Sequence, residues 1–203
     1  MNTDAARGFG DVAARYAALR PSYPAALFDF LLSHLDGSRR FAVDLGAGPC
    51  KASLDLAVRF DRVAAVEPDA RMLAAVAAHK RIIQINCPAE EAVFADGSVD
   101  CVIAATAFHW MDQDAVCANV ARWLRPGGAF FPFLYGPFFI CGSAQPVFRR
   151  HWSRWLPHMD RRLGAKAEYS RPMKACGAFS RLETYSGEIG VTLPPRDAAG
   201  LLL

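Results

Sequence analysis

Short, mostly apolar runs alternate with helix-spaced stretches over residues 41–135. Five runs predict strands: Phe41–Leu45, Arg62–Val66, Arg81–Ile85, Val99–Ala104 and Ala129–Leu134. Three stretches between them predict helices. Ala52–Phe60 carries Leu54, Leu56, Ala57 and Phe60; Ala70–His79 is rich in alanine and follows the turn Glu67-Pro68-Asp69; Asp112–Leu124 runs up to Arg125-Pro126-Gly127-Gly128, which predicts a turn. Strands alternating with helices imply βαβ units and a parallel sheet. Upstream, Asp11–Leu19 and Pro24–Leu35 predict two helices, the second with proline at its start. Downstream of Leu134 the pattern weakens. Gln145–Leu163, rich in Trp and Arg, predicts a helix, and Leu182–Val191 a strand.

Two of the strand runs end in groups that carry chemistry. Phe41-Ala-Val-Asp-Leu is followed by Gly46-Ala47-Gly48, and glycines there let the backbone turn sharply and approach a ligand closely. Val63-Ala-Ala-Val66 ends in Glu67, 23 positions after Asp44. A carboxylate at the end of the second strand is an acceptor for a ribose diol. Together these positions predict a nucleoside cofactor at the carboxyl edge of the sheet. The nicotinamide pattern G-x-G-x-x-G fails, because Lys51 stands where the third glycine belongs, and no G-x-x-x-x-G-K-[ST] is present.

Bulk properties narrow the class without naming it. At 203 residues, 53% hydrophobic and 21% charged, the chain is long and apolar enough for one domain with a full core. A net charge of +3 is too mild to argue for nucleic acid. The segment Phe148-Arg-Arg-His-Trp-Ser-Arg-Trp-Leu156 mixes cations with aromatics but completes no nucleic-acid motif, and it reads as an amphipathic lid helix. The N-terminus shows no signal-like apolar region. Ala129–Cys141, the longest candidate for a membrane span, is interrupted by Pro132 and Pro137. The six cysteines form no C-x-x-C pair, which argues against a metal site and against a disulfide framework, and the expected location is the cytoplasm.

Four segments in order resemble the class I S-adenosylmethionine-dependent methyltransferases, of the methyltransferase type 11-like kind. They are Val43-Asp-Leu-Gly-Ala-Gly48, Val66-Glu-Pro-Asp-Ala-Arg-Met-Leu73, Ala89-Glu-Glu-Ala-Val-Phe-Ala-Asp-Gly-Ser-Val-Asp100 and Leu124-Arg-Pro-Gly-Gly128. Tyr16-Ala-Ala-Leu-Arg-Pro-Ser-Tyr-Pro24 and Ala105-Thr-Ala-Phe-His-Trp110 are similar to a subgroup that includes trans-aconitate-type and related small-molecule enzymes. The resemblance implies a three-layer α/β/α Rossmann-like sandwich with a mostly parallel sheet. It also implies S-adenosylmethionine as cofactor, S-adenosylhomocysteine as product and a small, acidic methyl acceptor.

By position, Gly46, Ala47 and Gly48 would approach the methionine part of the cofactor. Asp44 would hold the loop and meet the amino group. Glu67, with Pro68 beside it, would take the ribose hydroxyls, and Ala89 and Glu90 would flank adenine. Ala105 and Thr106 would lie beside the transferable methyl, and Tyr16 and Arg20 would close the site from the N-terminal helices. His109 is the candidate for catalysis, although displacement from a sulfonium needs alignment more than a base.

The chain departs from the family pattern G-x-G-x-G at Cys50, which replaces the third glycine after Pro49. A small buried side chain is the leading reading of Cys50, and a thiol that crowds the cofactor's amino-acid tail is the other. A non-catalytic methyltransferase-like binding or assembly domain is therefore the alternative function. The expected organisation is one domain over 1–203: a helical cap (1–40), the cofactor-binding core (41–135), a lid or substrate region (136–180) and a partial C-terminal sheet element (181–203). The apolar finish Leu201-Leu202-Leu203 and the shortage of strands after Leu134 predict a sheet incomplete at its C-terminal edge, and a homodimer.

Overall fold

The computed structural model describes residues 22–75, 77–134, 145–155 and 169–190. In chain order the elements are α1 (Ala25–Ser33), β1 (Phe41–Leu45), α2 (Lys51–Ala57), β2 (Arg62–Val66), α3 (Ala70–Ala74), β3 (Ile82–Ile85), β4 (Val99–Ala105), α4 (Gln113–Trp123), β5 (Leu124–Phe133), α5 (Gln145–Trp155) and α6 (Ser170–Cys176). The predicted helix Asp11–Leu19, with Tyr16 and Arg20, lies outside the described residues, as do the end of the helix predicted to reach Leu163 and the finish at Leu201–Leu203.

Five parallel strands form one sheet in the order β3-β2-β1-β4-β5. Side-chain alternation splits the core into two layers. Val43, Leu45, Ala64, Val66, Val102, Ala104 and Phe130 pack with Val116, Val120 and Trp123 of α4. Ala42, Val63, Cys101 and Ile103 pack on the other face with Phe28 and Leu31 of α1 and Leu56 of α2. Over β1, β2 and β4 both faces are covered, which is why these strands read as nearly continuous apolar runs. Each large side chain buried this way contributes about 1.5–3 kcal/mol.

The chain leaves β1 to build β2 and β3 on one side, then returns to place β4 on the other. The connections from β1 and β4 therefore run in opposite directions, and sheets of this topology take ligands in the crevice outside the carboxyl ends at that switch point. At the opposite end of the sheet, Asp100 is buried and its Oδ2 accepts the N–H groups of Arg40 (2.8 Å) and Phe41 (2.7 Å). Its other oxygen pairs with Arg125, whose guanidinium also grips Asp36. This knot fixes the start of β1, β4 and β5.

Three local expectations change. Arg125–Gly128 does not end the helix in a separate turn. β5 begins at Leu124, and these residues bulge opposite Asp100 between the pairs Val99↔Leu124 and Cys101↔Ala129. Gly127 makes the bulge possible: its φ is +78°, and a Cβ there would lie 2.9 Å from Asp36 Oδ2.

The alanine-rich helix ends at Ala74 rather than His79. Beyond Met72 and Leu73 it offers little apolar surface to bury, and propensity alone does not hold a short helix. The Leu73 carbonyl accepts instead from Gln84 Nε2, at 3.0 Å.

No strand forms over the described part of Leu182–Val191. In residues 177–190 only Phe179, Leu182 and Tyr185 are drawn inward, a spacing of three rather than two. Phe179 meets Phe130 on one face of the sheet and Tyr185 meets Phe30 on the other, so this strap passes the β5 side of the sheet without pairing.

The β5 edge is also blunted by Pro132. Phe133 accepts from Thr106 N–H through a carbonyl facing β4, so the nitrogen of its neighbour Pro132 faces outward, where no ladder bond is lost.

Candidate functional site

The carboxyl ends of β1, β2 and β4 meet around the glycine loop. Gly46 has φ +66°, and a Cβ there would sit 2.5 Å from Ala107 Cβ, so the loops after β1 and β4 touch only because residue 46 lacks a side chain. The Ala47 N–H donates to the Val66 carbonyl at 3.0 Å, which carries the β1–β2 pairing into the loop. The Gly48 N–H then donates to Glu67 Oε2 at 2.9 Å, and the Asp69 N–H to Glu67 Oε1 at 3.0 Å. Glu67 is buried, and burial raises its pKa against the pull of these two donors. An ionised carboxylate has about four acceptor positions, so each oxygen retains capacity for a further donor.

Asp44 is fully buried on β1. The loop's hydrogen bond to a carboxylate goes to Glu67, whereas Asp44 Oδ2 accepts from Ser53 Oγ of α2 at 2.6 Å. Asp44 Oδ1 has no partner among the described residues. Burial pushes the pKa of Asp44 up to about 7, opposed by the Ser53 hydrogen bond and reinforced by the charge of Glu67.

Cys50 occupies the N-cap of α2 in a left-handed conformation, φ +54°. Its side chain is buried in an apolar cluster with Ala47, Ala65 and Leu73, and burial pushes its thiol up to about 11. A small buried side chain is what the structure places there, and so high a pKa argues against a reactive thiolate.

Ala105 ends β4, and Thr106 follows with φ +57°, a conformation costly for a β-branched residue. Thr106 Oγ1 lies 3.4 Å from the hydroxyl of Tyr23, which stands edge-on to Phe133. Ala89 is buried beneath the turn Ala89–Glu91 that follows β3. Glu90 Oε1 accepts the Asp112 N–H at 2.7 Å and the Glu90 carbonyl accepts from Asn119, so this residue ties the turn to α4. The Pro68 carbonyl accepts from Asn86 Nδ2, as does that of Glu67. His109 is buried with its Nδ1 2.8 Å from the Tyr169 hydroxyl, just before α6.

Asp44, Gly46, Ala47, Gly48 and Glu67 thus form one rim, with Ala105 and Thr106 across the crevice. Sequence reasoning missed Ser53, whose only signal was a hydroxyl three residues into a helix that starts beneath the glycine loop. It also missed Tyr23 as a neighbour of Thr106. Among the described residues no group of three or more His, Cys, Asp or Glu side chains could hold a metal, and no helix is long and apolar enough to cross a membrane.

A nucleoside cofactor whose amino-acid tail carries an ammonium group fits these residues. Glu67 has acceptor capacity for a diol, the glycine loop offers close backbone approach, and Asp44 has one oxygen without a donor among the described residues.

Comparison with known proteins gives the same reading of residues 43–131, which match the methyltransferase domain family. An uncharacterized methyltransferase of Mycobacterium tuberculosis is 40% identical over 126 residues, covering 62% of this chain and 51% of that protein. A probable S-adenosylmethionine-dependent methyltransferase of Saccharomyces cerevisiae is 33% identical over 136 residues, covering 63% of this chain and 47% of that one. The chain therefore spans about half the length of the curated relatives it matches. A solved structure of a type II methyltransferase candidate from Anaeromyxobacter dehalogenans superposes with a TM-score of 0.66 at 34% identity, covering 75% of this chain and 65% of that one.

Proposed function

We propose that this chain is, over residues 43–131, a class I S-adenosylmethionine-dependent methyltransferase domain, and that the protein transfers a methyl group from that cofactor to a small molecule, with an acidic acceptor as the first candidate. The observation that carries the reading is Glu67: a buried carboxylate pinned by two backbone N–H groups, with acceptor capacity left over, directly beside a glycine loop. When bound, the cofactor supplies an electrophilic methyl on a sulfonium.

The protein's task is then to bind, orient and exclude water. Glu67 would accept from the ribose hydroxyls. Gly46, Ala47 and Gly48 would give the amino-acid tail close approach. Asp44 would take the ammonium group, and Ala105 and Thr106 would line the crevice toward the acceptor. His109 is better suited to hold the loop after β4 against Tyr169 than to remove a proton, since its Nδ1 already faces that hydroxyl.

Calorimetric titration with S-adenosylhomocysteine and with NAD tests the reading. Binding of the former and not the latter supports it; tighter binding of NAD overturns it. Cofactor binding without turnover on any acidic acceptor would favour the non-catalytic alternative.

A further inference from the structure

The strongest unexplained feature of the crevice is the environment of Asp44. It is fully buried, yet the charged groups it feels most are Glu67, at the end of β2, and Asp55 of α2, both acids. α2 also presents Ser53, with the Cys50 thiol at its N-cap, and β4 presents the Cys101 thiol. Among the described residues Ser53 alone gives Asp44 a hydrogen bond, to Oδ2, and Oδ1 is left without a partner. Burying a carboxylate beside other acids favours its neutral, protonated form. A cation brought against the glycine loop reverses that preference.

We propose that Ser53 is a positioning residue that orients Asp44 so that its unpartnered oxygen receives the ligand's ammonium group, and that cofactor uptake thereby expels a proton from Asp44. The proposal rests on the cofactor reading above. The step balances simply: the carboxylic acid and the ligand ammonium become a carboxylate–ammonium pair, and one proton goes to solvent. Asp44 is half-titrated near neutrality in the empty site, at about 7. The linkage therefore falls where it can be measured. Serine serves here because a hydroxyl donates to one carboxylate oxygen without adding charge, leaving the other oxygen to the ligand.

The test is calorimetry of the whole chain with S-adenosylhomocysteine, in buffers of different ionisation enthalpy. Affinity is expected to be about tenfold weaker near pH 6 than near pH 8, with about one proton released per ligand at the lower pH. Asp44→Asn should flatten the pH profile. Ser53→Ala removes a bond that favours the ionised form and should move the midpoint to higher pH, while Ser53→Thr should restore it. A purely structural role for Ser53 would change affinity and leave the midpoint in place, which would overturn the proposal. So would binding with no proton release. Absence of binding at every pH would instead overturn the cofactor reading, and this proposal with it.

Discussion

The Gly48 N–H donates to Glu67 Oε2 across 2.9 Å, so the carboxylate that ends β2 shapes the glycine loop, and in the proposed function it also receives the ribose. Loss of Glu67 should therefore act twice. Glu67→Ala is expected to weaken S-adenosylhomocysteine binding at least about 30-fold, equivalent to about 2 kcal/mol. The loop amides of Gly48 and Asp69 should also exchange faster with solvent. Calorimetry and hydrogen exchange check the two effects, and unchanged affinity would remove Glu67 from the site.

The Cys50 thiol packs against Ala47, Ala65 and Leu73, an environment that does not require it to crowd a ligand. Cys50→Gly is expected to leave affinity within about threefold. It relieves a left-handed side-chain penalty of about 1–2 kcal/mol but loses buried contacts and gains chain entropy on unfolding. Alkylation at neutral pH should reach the partly exposed Cys176 well before Cys50, whose thiol ionises only at about 11. Mass spectrometry of a time course reads this order directly.

Gly46 and Gly97 share a φ of +66° but not a neighbourhood. Around Gly97 a Cβ would meet nothing within 4 Å, whereas at Gly46 it would lie 2.5 Å from Ala107 Cβ. Gly97→Ala should cost only the backbone strain, about 1 kcal/mol, and Gly46→Ala at least about 3 kcal/mol because two loops must part. Urea unfolding of both variants checks the difference, and similar losses would show that the loops can separate freely.

Asp100 and Asp44 should respond to pH in opposite directions. Hydrogen bonds from Arg125 and from the N–H groups of Phe41 and Arg40 hold Asp100 below the usual carboxylate range, and Arg125 holds Asp36 down at about 2. A depressed pKa gives stability that is complete above the unfolded value of about 4 and is lost as pH falls further. Asp44 is raised to about 7, so the empty protein loses stability as pH rises from about 4 to about 7. Asp100→Ala should cost about 3 kcal/mol at neutral pH, because it leaves Arg125 with Asp36 as its one remaining carboxylate among the described residues and the N–H groups of Arg40 and Phe41 without their acceptor. Asp44→Asn should instead stabilise the empty protein by about 1–3 kcal/mol near pH 8. Thermal unfolding across pH tests both signs.

The strands, the glycine loop and Glu67 were legible in the chain because their signals are local. A run such as Val63-Ala-Ala-Val66 is apolar throughout because both faces of its strand are covered, and Gly46 and Glu67 sit directly at strand ends. That locality is also why the match to a known family falls on residues 43–131.

Contacts between distant positions decided the rest. The end of α3 at Ala74 depends on how little its alanines could bury. The bulge at Arg125–Gly128 depends on Asp36 and Asp100, 89 and 25 positions away. The strap over residues 177–190 takes its form from two faces of a sheet edge that no local pattern describes. The partnership of Asp44 with Ser53 likewise exists only because α2 folds back across β1. Hydrophobic periodicity and turn chemistry are properties of neighbouring residues, so the sequence alone determined the order of the elements and the rim of the crevice. Which buried polar atoms found partners, and which did not, was determined only by tertiary packing.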